Sequence, residues 1–341
     1  MKATINDVAK LSGVSIKTVS RVMNNEPSVR QLTREKVQAA VKELNYQPNL
    51  AARNLAGTKS FSIAYVYDNP NAYYIIDMQE GILSACRQQG FELLINPCDS
   101  QQENIAEDII NTIKHARVAG LVLTPPFSER PEFVKQITDL DIKVVRIMSG
   151  DVAPDELTPC VMVNDRDAAQ TITQHLIDLG HQKIGFIAGG AEHMSTIERY
   201  KGYRRALKAN DIAFNKNLVI EGEYSFESGV NGAKTLMAKD VSQENLPTAI
   251  FSCNDEIAAG ALFAARLMNI KIPEQLSIAG FENSPFSRQT WPKLTTANQP
   301  NKQIAQDAAS LLISQIRKIK GKAETSQYVP QLVVRDSTGQ I

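Results

Sequence analysis

The sequence predicts an all-α N-terminal head, with a helix-turn-helix and a short hinge helix, followed by an α/β body of two doubly wound parallel-sheet subdomains. Apolar residues recur at helical spacing through about the first 45 residues. Charge is divided unevenly between this part and the rest of the chain. From Phe61 onward, short apolar runs alternate with amphipathic helices. The length of 341 residues suits two or three domains.

The charge of the chain is zero overall but is not evenly distributed. Residues 1–60 contain ten Lys and Arg against four Asp and Glu, whereas the remaining residues contain 27 against 33. A basic segment attached to an acidic body is typical of a small module that contacts a polyanion. With 43% hydrophobic and 22% charged residues, the composition excludes a wholly disordered or fibrous chain.

The sequence carries no sign of a membrane or secreted protein. It has no run of about 18 apolar residues, and its first residues lack the apolar region of a secretory signal. The four cysteines are scattered without CxxC spacing, so we expect reduced thiols and a cytoplasmic location. They are Cys86, Cys98, Cys160 and Cys253.

Two short helices joined by a turn at Gly13 are predicted near the N-terminus. Thr4 is a good N-cap for the first, and Ser15 is one for the second. The second segment has an apolar side, formed by Val19, Val22 and Met23, and a polar side, formed by Lys17, Ser20, Arg21 and Asn24. Such a pair is a helix-turn-helix, whose second helix lies in the DNA major groove. A third helix is predicted from Thr33.

The polar side of the second helix carries the candidate DNA contacts. Arg21 suits a bidentate contact with guanine, and Lys17 suits guanine or phosphate. Ser15 and Thr18 are better phosphate anchors than base readers. On periodicity alone, a generic helical hairpin with a solvated basic face remains the alternative.

Residues 46–57 contain about two turns of possible hinge helix. Asn49 can cap it and Gly57 can end it, but such a helix is too short to be stable alone in water. When something packs against it, Leu55 becomes an exposed apolar side chain that can wedge between base steps in the minor groove. The alternative is a plain interdomain linker of helix-prone sequence.

The body is predicted to hold two parallel sheets with a cleft between them. Candidate strands are residues 63–67, 93–95, 120–124, 144–147, 160–163, 184–188, 218–220, 249–252 and 277–281. Helical patterns lie between them, for example at 76–89, 168–179, 198–209, 229–238 and 255–268. Nine strands alternating with helices are too many for one small sheet, so two sequential halves are expected. The domain boundaries follow: residues 1–48 the head, 49–60 the hinge and linker, and 61–341 the body. A resemblance to a known family, given below, implies three crossovers within the body, with an N-subdomain of about 61–162 and 291–323 and a C-subdomain of about 163–290 and 324–341.

Polar and aromatic side chains follow several of the predicted strands, where parallel sheets bind ligands. The candidates for a small-molecule site are Tyr73, Tyr74, Asp151, His193, Ser195, Arg199, Tyr224, Asn254 and Glu282. Arginine, amides and carboxylates with flat aromatic faces suit a polyhydroxylated ligand. A purely structural role is the alternative for these residues. For example, Asn254 can be a helix cap, Tyr74 and Tyr224 can be core residues, and Arg199 can be a surface charge.

Signals of catalysis, metal binding or cofactor binding are weak. Residues 185–190 are glycine-rich but match neither a Walker loop nor a GxGxxG fingerprint, and there is no GxSxG or HExxH motif. His115, His175 and His181 are not paired at metal spacing. We therefore predict no enzyme activity, no metal and no cofactor.

The motifs together resemble the lactose repressor family of bacterial regulators. The match lies at residues 4–9, 13–15, 18–24, 33–37, 44–49 and 55–57 of the head, and at 179–181, 199, 202–203, 254–255 and 292–296 of the body. The resemblance implies a homodimeric or tetrameric transcriptional repressor whose body is similar to periplasmic sugar-binding proteins, with three crossovers between subdomains. Because nothing after Val334 resembles a leucine-heptad tail, a homodimer is favoured.

The resemblance also implies roles for particular residues. Ile16, Lys17 and Arg21 take base-reading positions, and Asn49, Ala52, Arg53 and Leu55 take hinge-helix positions. The full set of predicted DNA contacts is Thr4, Ser15, Ile16, Lys17, Thr18, Ser20, Arg21, Asn24, Asn49, Ala52, Arg53 and Leu55. Tyr74, Asp151, Arg199, Tyr224, Asn254 and Glu282 match effector-contacting positions. The sequence departs from the family pattern in Glu282, where aspartate is usual, and in Asn301, where an aromatic residue is common.

The predicted function is a sequence-specific DNA-binding repressor of a carbohydrate catabolism operon, located with the nucleoid in the cytoplasm. Two heads bind the half-sites of a pseudo-palindromic operator in double-stranded DNA, and a sugar effector in the cleft changes that binding. One alternative is a regulator co-repressed by a purine or another metabolite. Another is a cytosolic sugar-binding protein without a DNA function.

Overall fold

The computed structural model describes residues 3–23, 29–46, 60–238, 246–319 and 326–341. The head consists of three helices, α1 (Ile5–Ser12), α2 (Ile16–Met23) and α3 (Gln31–Glu43). Their facing sides bury Val8, Val19, Val22, Val37 and Ala40, each at most 2% exposed. A core of this small size agrees with the apolar spacing that predicted the three helices.

The first subdomain of the body is a six-stranded sheet with helices on both faces. Its elements are β1 (Ser62–Tyr67), α4 (Ala72–Gln89), β2 (Glu92–Pro97), α5 (Ile105–His115), β3 (Gly120–Leu123), α6 (Pro131–Thr138), β4 (Lys143–Ser149) and β5 (Cys160–Val163). The strand order is β11-β5-β4-β3-β1-β2, and the pairs are parallel; β11 is Ser326–Tyr328. Both faces of its central strands are therefore buried, as continuous apolar runs such as that of β1 predict.

The second subdomain is a smaller parallel sheet with its own helices. It contains α7 (Asp165–Asp178), β6 (Ile184–Ile187), α8 (Met194–Ala209), β7 (Val219–Ile220), α9 (Phe226–Leu236), β8 (Ala249–Ser252), α10 (Asp255–Leu267), β9 (Ser277–Ala279) and the short α11 (Phe286–Gln289). The strand order is β7-β6-β8-β9. Parallel bridges from Ala279 to Thr295 and from Glu282 to Asn298 continue it to β10 (Thr296–Asn298), which pairs antiparallel with β12 (Gln331–Val333).

The chain passes between the subdomains three times, as the family resemblance implies. The passages are β5 to α7, β10 to α12 (Asn301–Ile316), and β11 to β12. Helix α12 packs against α4 on one face of the first sheet. The approach is close, because a Cβ atom at Gly81 of α4 would collide with the carbonyl oxygen of Lys302.

Two of the predicted subdomain boundaries differ from the observed ones. Residues 296–298 belong with the second sheet rather than the first, and residues 326–328 belong with the first sheet rather than the second. Both segments are strands of three residues, too short to show a period. The hinge prediction for residues 49–60 lies almost entirely outside the described residues. Within the described part of the chain, no helix combines the length and apolar character needed to cross a membrane.

Candidate functional site

The N-terminus of each of the first two helices is fixed by local hydrogen bonds. The backbone N–H and the hydroxyl of Thr4 donate to Asp7 Oδ2 at 2.8 and 2.7 Å, and the hydroxyl bond lowers the pKa of Asp7. Ser15 Oγ accepts from the backbone N–H of Thr18 at 3.2 Å, and the two hydroxyls lie 2.9 Å apart. Thr4, Ser15 and Thr18 therefore have a structural role in starting α1 and α2.

Helix α2 presents a surface opposite its buried valines. Ile16 is 50% exposed, and Lys17 and Arg21 are exposed as well, whereas Ser20 is half-buried. Positions four residues apart share one face of a helix, so 16 and 20, and 17 and 21, form two adjacent rows. This is the arrangement that a helix entering the major groove requires. The other predicted DNA contacts, Asn24, Asn49, Ala52, Arg53 and Leu55, lie outside the described residues.

The two subdomains enclose a cavity of about 50 Å³ at the carboxyl ends of their strands. Side chains from both subdomains form its wall. The first subdomain contributes Asn69, Asn71, Tyr74, Pro125, Ile147, Met148, Ser149 and Val163, and the second contributes Asp165, His193, Ser195, Arg199, Tyr224, Glu282 and Gln299. Six of the nine residues predicted for a small-molecule site line this cavity: Tyr74, His193, Ser195, Arg199, Tyr224 and Glu282.

Arg199 is the central cation of the cavity and is 3% exposed. Its Nε donates to Asp165 Oδ1 at 2.8 Å, and its Nη1 donates to the carbonyl oxygen of Cys253 at 2.7 Å. The guanidinium also lies 3.8 Å from the ring centroid of Phe281. Burial opposes the charge, but Asp165 together with Tyr224, Cys253 and Glu282 outweighs burial and raises the pKa of Arg199. Arg199 is therefore charged and held rigidly, not a mobile surface residue.

Glu282 connects the second subdomain to the first. Its Oε2 accepts from Asn71 Nδ2 at 2.8 Å, while its Oε1 lies 3.9 Å from Arg199 Nη1. Burial raises the pKa of Glu282 to about 8, and Arg199 only partly offsets that effect. The residue has a φ of 100°, which side-chain-bearing residues rarely adopt. Strain of this kind is concentrated at functional sites.

A second link between the subdomains runs through Asp165. Ser149 Oγ, at the end of β4, donates to Asp165 Oδ2 at 2.5 Å, and Asp165 also accepts from Arg199. A third link joins Glu129 Oε2 to the backbone N–H of Met194 at 3.3 Å, at the start of α8. Each link depends on the two subdomains being close together, so the cavity exists only in a closed arrangement.

The aromatic walls of the cavity are Tyr74 and Tyr224, each 9% exposed. The hydroxyl of Tyr224 lies 3.0 Å from Ser195 Oγ and 2.9 Å from Thr196 Oγ1. Its ring packs on Gly189, where a Cβ atom would overlap it. His193 lies edge-on to this ring, with centroids 5.4 Å apart, and burial lowers the pKa of its imidazole. The cavity thus combines fixed aromatic faces with a neutral imidazole.

Three of the predicted site residues do not line the cavity. Tyr73 packs edge-on against Phe286, and Asp151 is half-exposed with its carboxylate 3.8 Å from the guanidinium of Arg166. Asn254 is buried and caps α10, because its Oδ1 accepts from the backbone N–H of Ile257 at 2.9 Å. The simpler reading of Asn254 as a helix cap is the one the contacts favour.

Sequence reasoning missed several residues of the cavity wall. Asn71, Ser149 and Asp165 each stand directly at or just after the end of a strand, so the rule that selected Arg199 and Glu282 would have found them. Asn71 also caps α4, since its Oδ1 accepts from the backbone N–H groups of Tyr73 and Tyr74. Gln299 gave no signal, because it lies in a passage between the subdomains that the sequence did not define.

No group of three or more His, Cys, Asp or Glu side chains in the described part of the chain is placed to hold a metal ion. His181, which the sequence does not pair with another histidine at metal spacing, is fully buried, with its ring nitrogens 3.0 Å from Thr248 Oγ1 and 3.0 Å from Ser277 Oγ. The cavity is therefore a site built from amide, hydroxyl, guanidinium and carboxyl groups.

Comparison with known proteins agrees with this architecture. Residues 4–49 match the model of bacterial regulatory proteins of the lacI family, and residues 173–338 match the periplasmic binding protein-like domain. The chain is 30% identical to the HTH-type transcriptional repressor PurR of Vibrio vulnificus (strain CMCP6), over 99% of each protein. It is 31% identical to the repressor of that name from Haemophilus influenzae (strain PittEE), again over 99% of each.

Solved structures of regulators share the whole fold. The transcriptional regulator CelR in complex with cellobiose has a TM-score of 0.73 and 26% identity, covering 98% of this chain and 100% of that chain. The lac repressor dimer bound to operator and the anti-inducer ONPF has a TM-score of 0.74 and 26% identity, covering 99% and 100%. Full-length identity at the level of the PurR relatives, together with the match of the head, decides the assignment: the chain belongs to the lacI family of bacterial regulatory proteins and is a DNA-binding transcriptional repressor of that type, not an enzyme.

Proposed function

We propose that this protein binds a pseudo-palindromic operator as a homodimer and that a small molecule, a sugar in the first place, controls it from the cleft between the subdomains. The observation that carries the proposal is the direct bonding across that cleft. Asn71 of one subdomain bonds Glu282 of the other, and Ser149 bonds Asp165. A ligand that replaces these bonds changes the angle between the subdomains.

The cavity of about 50 Å³ is much smaller than the roughly 300–1,000 Å³ of typical ligand pockets. A molecule the size of a sugar ring therefore requires the subdomains to separate before it binds. A different angle moves the first subdomains of the two protomers relative to each other, and with them the hinge segments and heads. A coupling of about 1–3 kcal/mol would change operator affinity about 5–150-fold.

A sugar is the first candidate because polar groups surround two flat faces. Arg199, Glu282 and Asn71 offer hydrogen bonds to hydroxyls, and Tyr74 and Tyr224 can cover the C–H face of a ring. The complexes of CelR with cellobiose and of the lac repressor with ONPF support this class by similarity. A purine base is the second candidate, because a planar ring also packs between aromatic side chains.

On the DNA side, we propose that Ile16, Lys17 and Arg21 read bases while Thr4, Ser15, Thr18 and Ser20 anchor phosphates. The exposed face of α2 supports these roles. The roles of Asn24, Asn49, Ala52, Arg53 and Leu55 rest on the family resemblance alone. A carbohydrate catabolism operon as the target, and a cytoplasmic location alongside the chromosome, complete the proposal.

The test measures operator binding and ligand binding on the same samples. Fluorescence anisotropy with fragments upstream of neighbouring genes should reveal a specific duplex, and a thermal-shift screen of mono- and disaccharides and purine bases should reveal a ligand. A ligand at 100 times its Kd stabilises the protein by about 2.7 kcal/mol. That ligand should shift operator affinity in the wild type and in Lys208→Ala, an exposed position on α8, but not in Arg199→Ala. An unchanged response in Arg199→Ala contradicts the cleft as the effector site.

A further inference from the structure

The cavity wall is rich in acids and hydroxyls and poor in cations. Among the lining residues that the structure describes, Arg199 is the one permanently charged cation, and Asp165 and the Cys253 carbonyl already hold it. Glu282 has no hydrogen bond to Arg199, since their nearest atoms are 3.9 Å apart. An anionic ligand would therefore lie beside the carboxyl groups of Asp165 and Glu282 and find no free cation to pair with.

Glu129 occupies the place where an anion would otherwise be expected. The N-terminus of a helix attracts phosphate and carboxylate groups through its free N–H groups and its dipole. Helix α8 begins between His193 and Ser195, both of which line the cavity. Glu129 Oε2, from the other subdomain, already accepts the N–H of Met194 there, at 3.3 Å. The protein thus supplies its own carboxylate at this position.

The other oxygen of Glu129 has no partner. Glu129 Oε1 and the hydroxyls of Tyr65, Thr124 and Ser128 are all inaccessible to solvent and lack a hydrogen bond within the described residues. The three hydroxyl residues are fully buried, and Thr124 immediately precedes Pro125 of the cavity wall. Buried polar atoms without partners are rare in folded proteins, and such a group is explained when a ligand or water supplies the missing bonds.

This polar cluster, Tyr65, Thr124, Ser128 and Glu129, lies beside the cavity, because Thr124 precedes Pro125 of the wall and Glu129 bonds the N–H of Met194 between the lining residues His193 and Ser195. Tyr74 lines the cavity, and its pKa is raised first by burial and then by Tyr65, Glu282, Asp165 and Glu129. Burial raises the pKa of Glu129 to about 7. The hydrogen bond from the Met194 N–H lowers that pKa in part, and the nearby Asp165 raises it further. The acids of the two subdomains are therefore close enough to oppose each other's ionisation, and a further negative charge would add to that repulsion.

We infer that the cleft selects an uncharged or cationic ligand rich in hydroxyl or amine donors, that it rejects phosphorylated ligands, and that Glu129 contributes an acceptor to the selected ligand. This inference rests on the proposed function, because it concerns the ligand of the same cleft. It makes one rule for sugars and purines alike: the free sugar or base binds, whereas its phosphate does not. An amino sugar binds at least as well as the parent sugar, because its ammonium group donates to carboxyl oxygens and favours the ionised form of Glu282, which burial otherwise keeps largely protonated at pH 7.5.

The experiment is a thermal-shift and calorimetric comparison of matched probes on the full chain at pH 7.5. Glucose, galactose and cellobiose are each paired with a phosphorylated form, and glucose also with glucosamine. Inosine, measured beside hypoxanthine, is paired with inosine monophosphate. We expect at least one unphosphorylated probe to bind and its phosphorylated partner to bind at least about tenfold more weakly. A phosphorylated probe that binds as tightly as its partner overturns the inference, and so does a panel without any binding member.

The role of Glu129 is tested with Glu129→Gln and with the control Glu132→Gln, an exposed acid three residues away. Glu129→Gln should weaken the preferred probe severalfold and narrow its advantage over the phosphorylated form, because the negative charge at the start of α8 is removed. Glu132→Gln should do neither. Identical behaviour of the two variants overturns the role of Glu129.

Operator anisotropy on the same samples separates this inference from the proposed function. If a phosphorylated probe binds and shifts operator affinity, the result supports regulation of operator binding by a cleft ligand and refutes the preference for unphosphorylated ligands. If the unphosphorylated probe binds more tightly than its phosphorylated partner but leaves operator affinity unchanged, the result supports the ligand preference and refutes regulation of operator binding from the cleft.

Discussion

Replacing Arg199 by alanine should destabilise the body because it leaves a buried carboxylate without its partner. Arg199 and Asp165 are 3% and 2% exposed, and they are joined by a hydrogen bond of 2.8 Å. Without Arg199, Asp165 keeps only the bond from Ser149, and the carbonyl oxygen of Cys253 loses its donor. Removing one member of a buried ion pair costs about 3–5 kcal/mol. For domains of this size that corresponds to a fall in Tm of roughly 6–20 °C.

The assay is thermal and urea unfolding followed by circular dichroism at pH 7.5. Arg205→Ala is the matched control, since Arg205 lies on the same helix and bonds Asp167 at 3.0 Å, but the two side chains are 58% and 49% exposed. An exposed pair of that kind contributes about 0–1 kcal/mol. The double variant Arg199→Ala with Asp165→Asn should recover part of the loss, because it removes the unpaired charge. If Arg199→Ala costs no more than Arg205→Ala, the reasoning about a buried ion pair is refuted.

Three further predictions concern pH, DNA and packing. Burial raises the pKa of Glu282 to about 8, so between its unfolded pKa near 4.3 and pH 8 the folded state holds a proton that the unfolded state has lost. The free energy of unfolding should therefore fall as pH rises from about 5 to 8, by up to about 1.4 kcal/mol per unit, and level off above pH 8; Glu282→Gln should flatten that fall in unfolding curves. Arg21→Ala should weaken specific operator binding by about 1–3 kcal/mol in anisotropy titrations, and wild-type affinity should drop steeply with added salt. Gly81→Ala should destabilise the body by about 1–3 kcal/mol in urea, because the new methyl group meets the Lys302 carbonyl.

Each of these predictions has its own control. A pH profile of Glu282→Gln that matches the wild type would contradict the titration of Glu282. Lys42→Ala removes the same charge from another helix of the head and should preserve specificity; equal losses for Lys42→Ala and Arg21→Ala would contradict base reading. Gln88→Ala changes the exposed side of the helix that holds Gly81 and should leave stability nearly unchanged, so a similar loss there would rule out the collision.

The expectation that ligand-binding residues follow the strands of a parallel sheet located the cleft from the sequence. It could not distinguish an asparagine that only caps a helix from one that also lines the cleft. Asn254 and Asn71 both follow a strand and cap the next helix. Only Asn71 also reaches across to Glu282, whereas the side chain of Asn254 caps α10 away from the cavity wall. The difference arises from how the two subdomains face each other, which no local pattern in one chain encodes.

Pairings between distant residues explain the remaining misses. Ser149 and Asp165 flank β5, but their bond depends on the passage of the chain from one sheet to the other. Strands β10, β11 and β12 have three residues each and are held by partners far away in sequence, so neither alternation nor length revealed them. The longer elements, such as α4 and α10, were predicted to within a few residues, because burial on one side imposes a period on the sequence.

The late passages of the chain bear on how this molecule folds during synthesis. One outer strand of the six-stranded sheet is residues 326–328, and β12 and the Ser337 hydroxyl are bonded into the other half. Neither half can complete its hydrogen-bonded framework on the ribosome until residues 326–337 have been translated. A contiguous gene fragment that encodes only one subdomain would lack strands of that subdomain that are encoded hundreds of nucleotides away. Screening of isolated halves should therefore begin from circularly permuted or spliced designs rather than from contiguous segments.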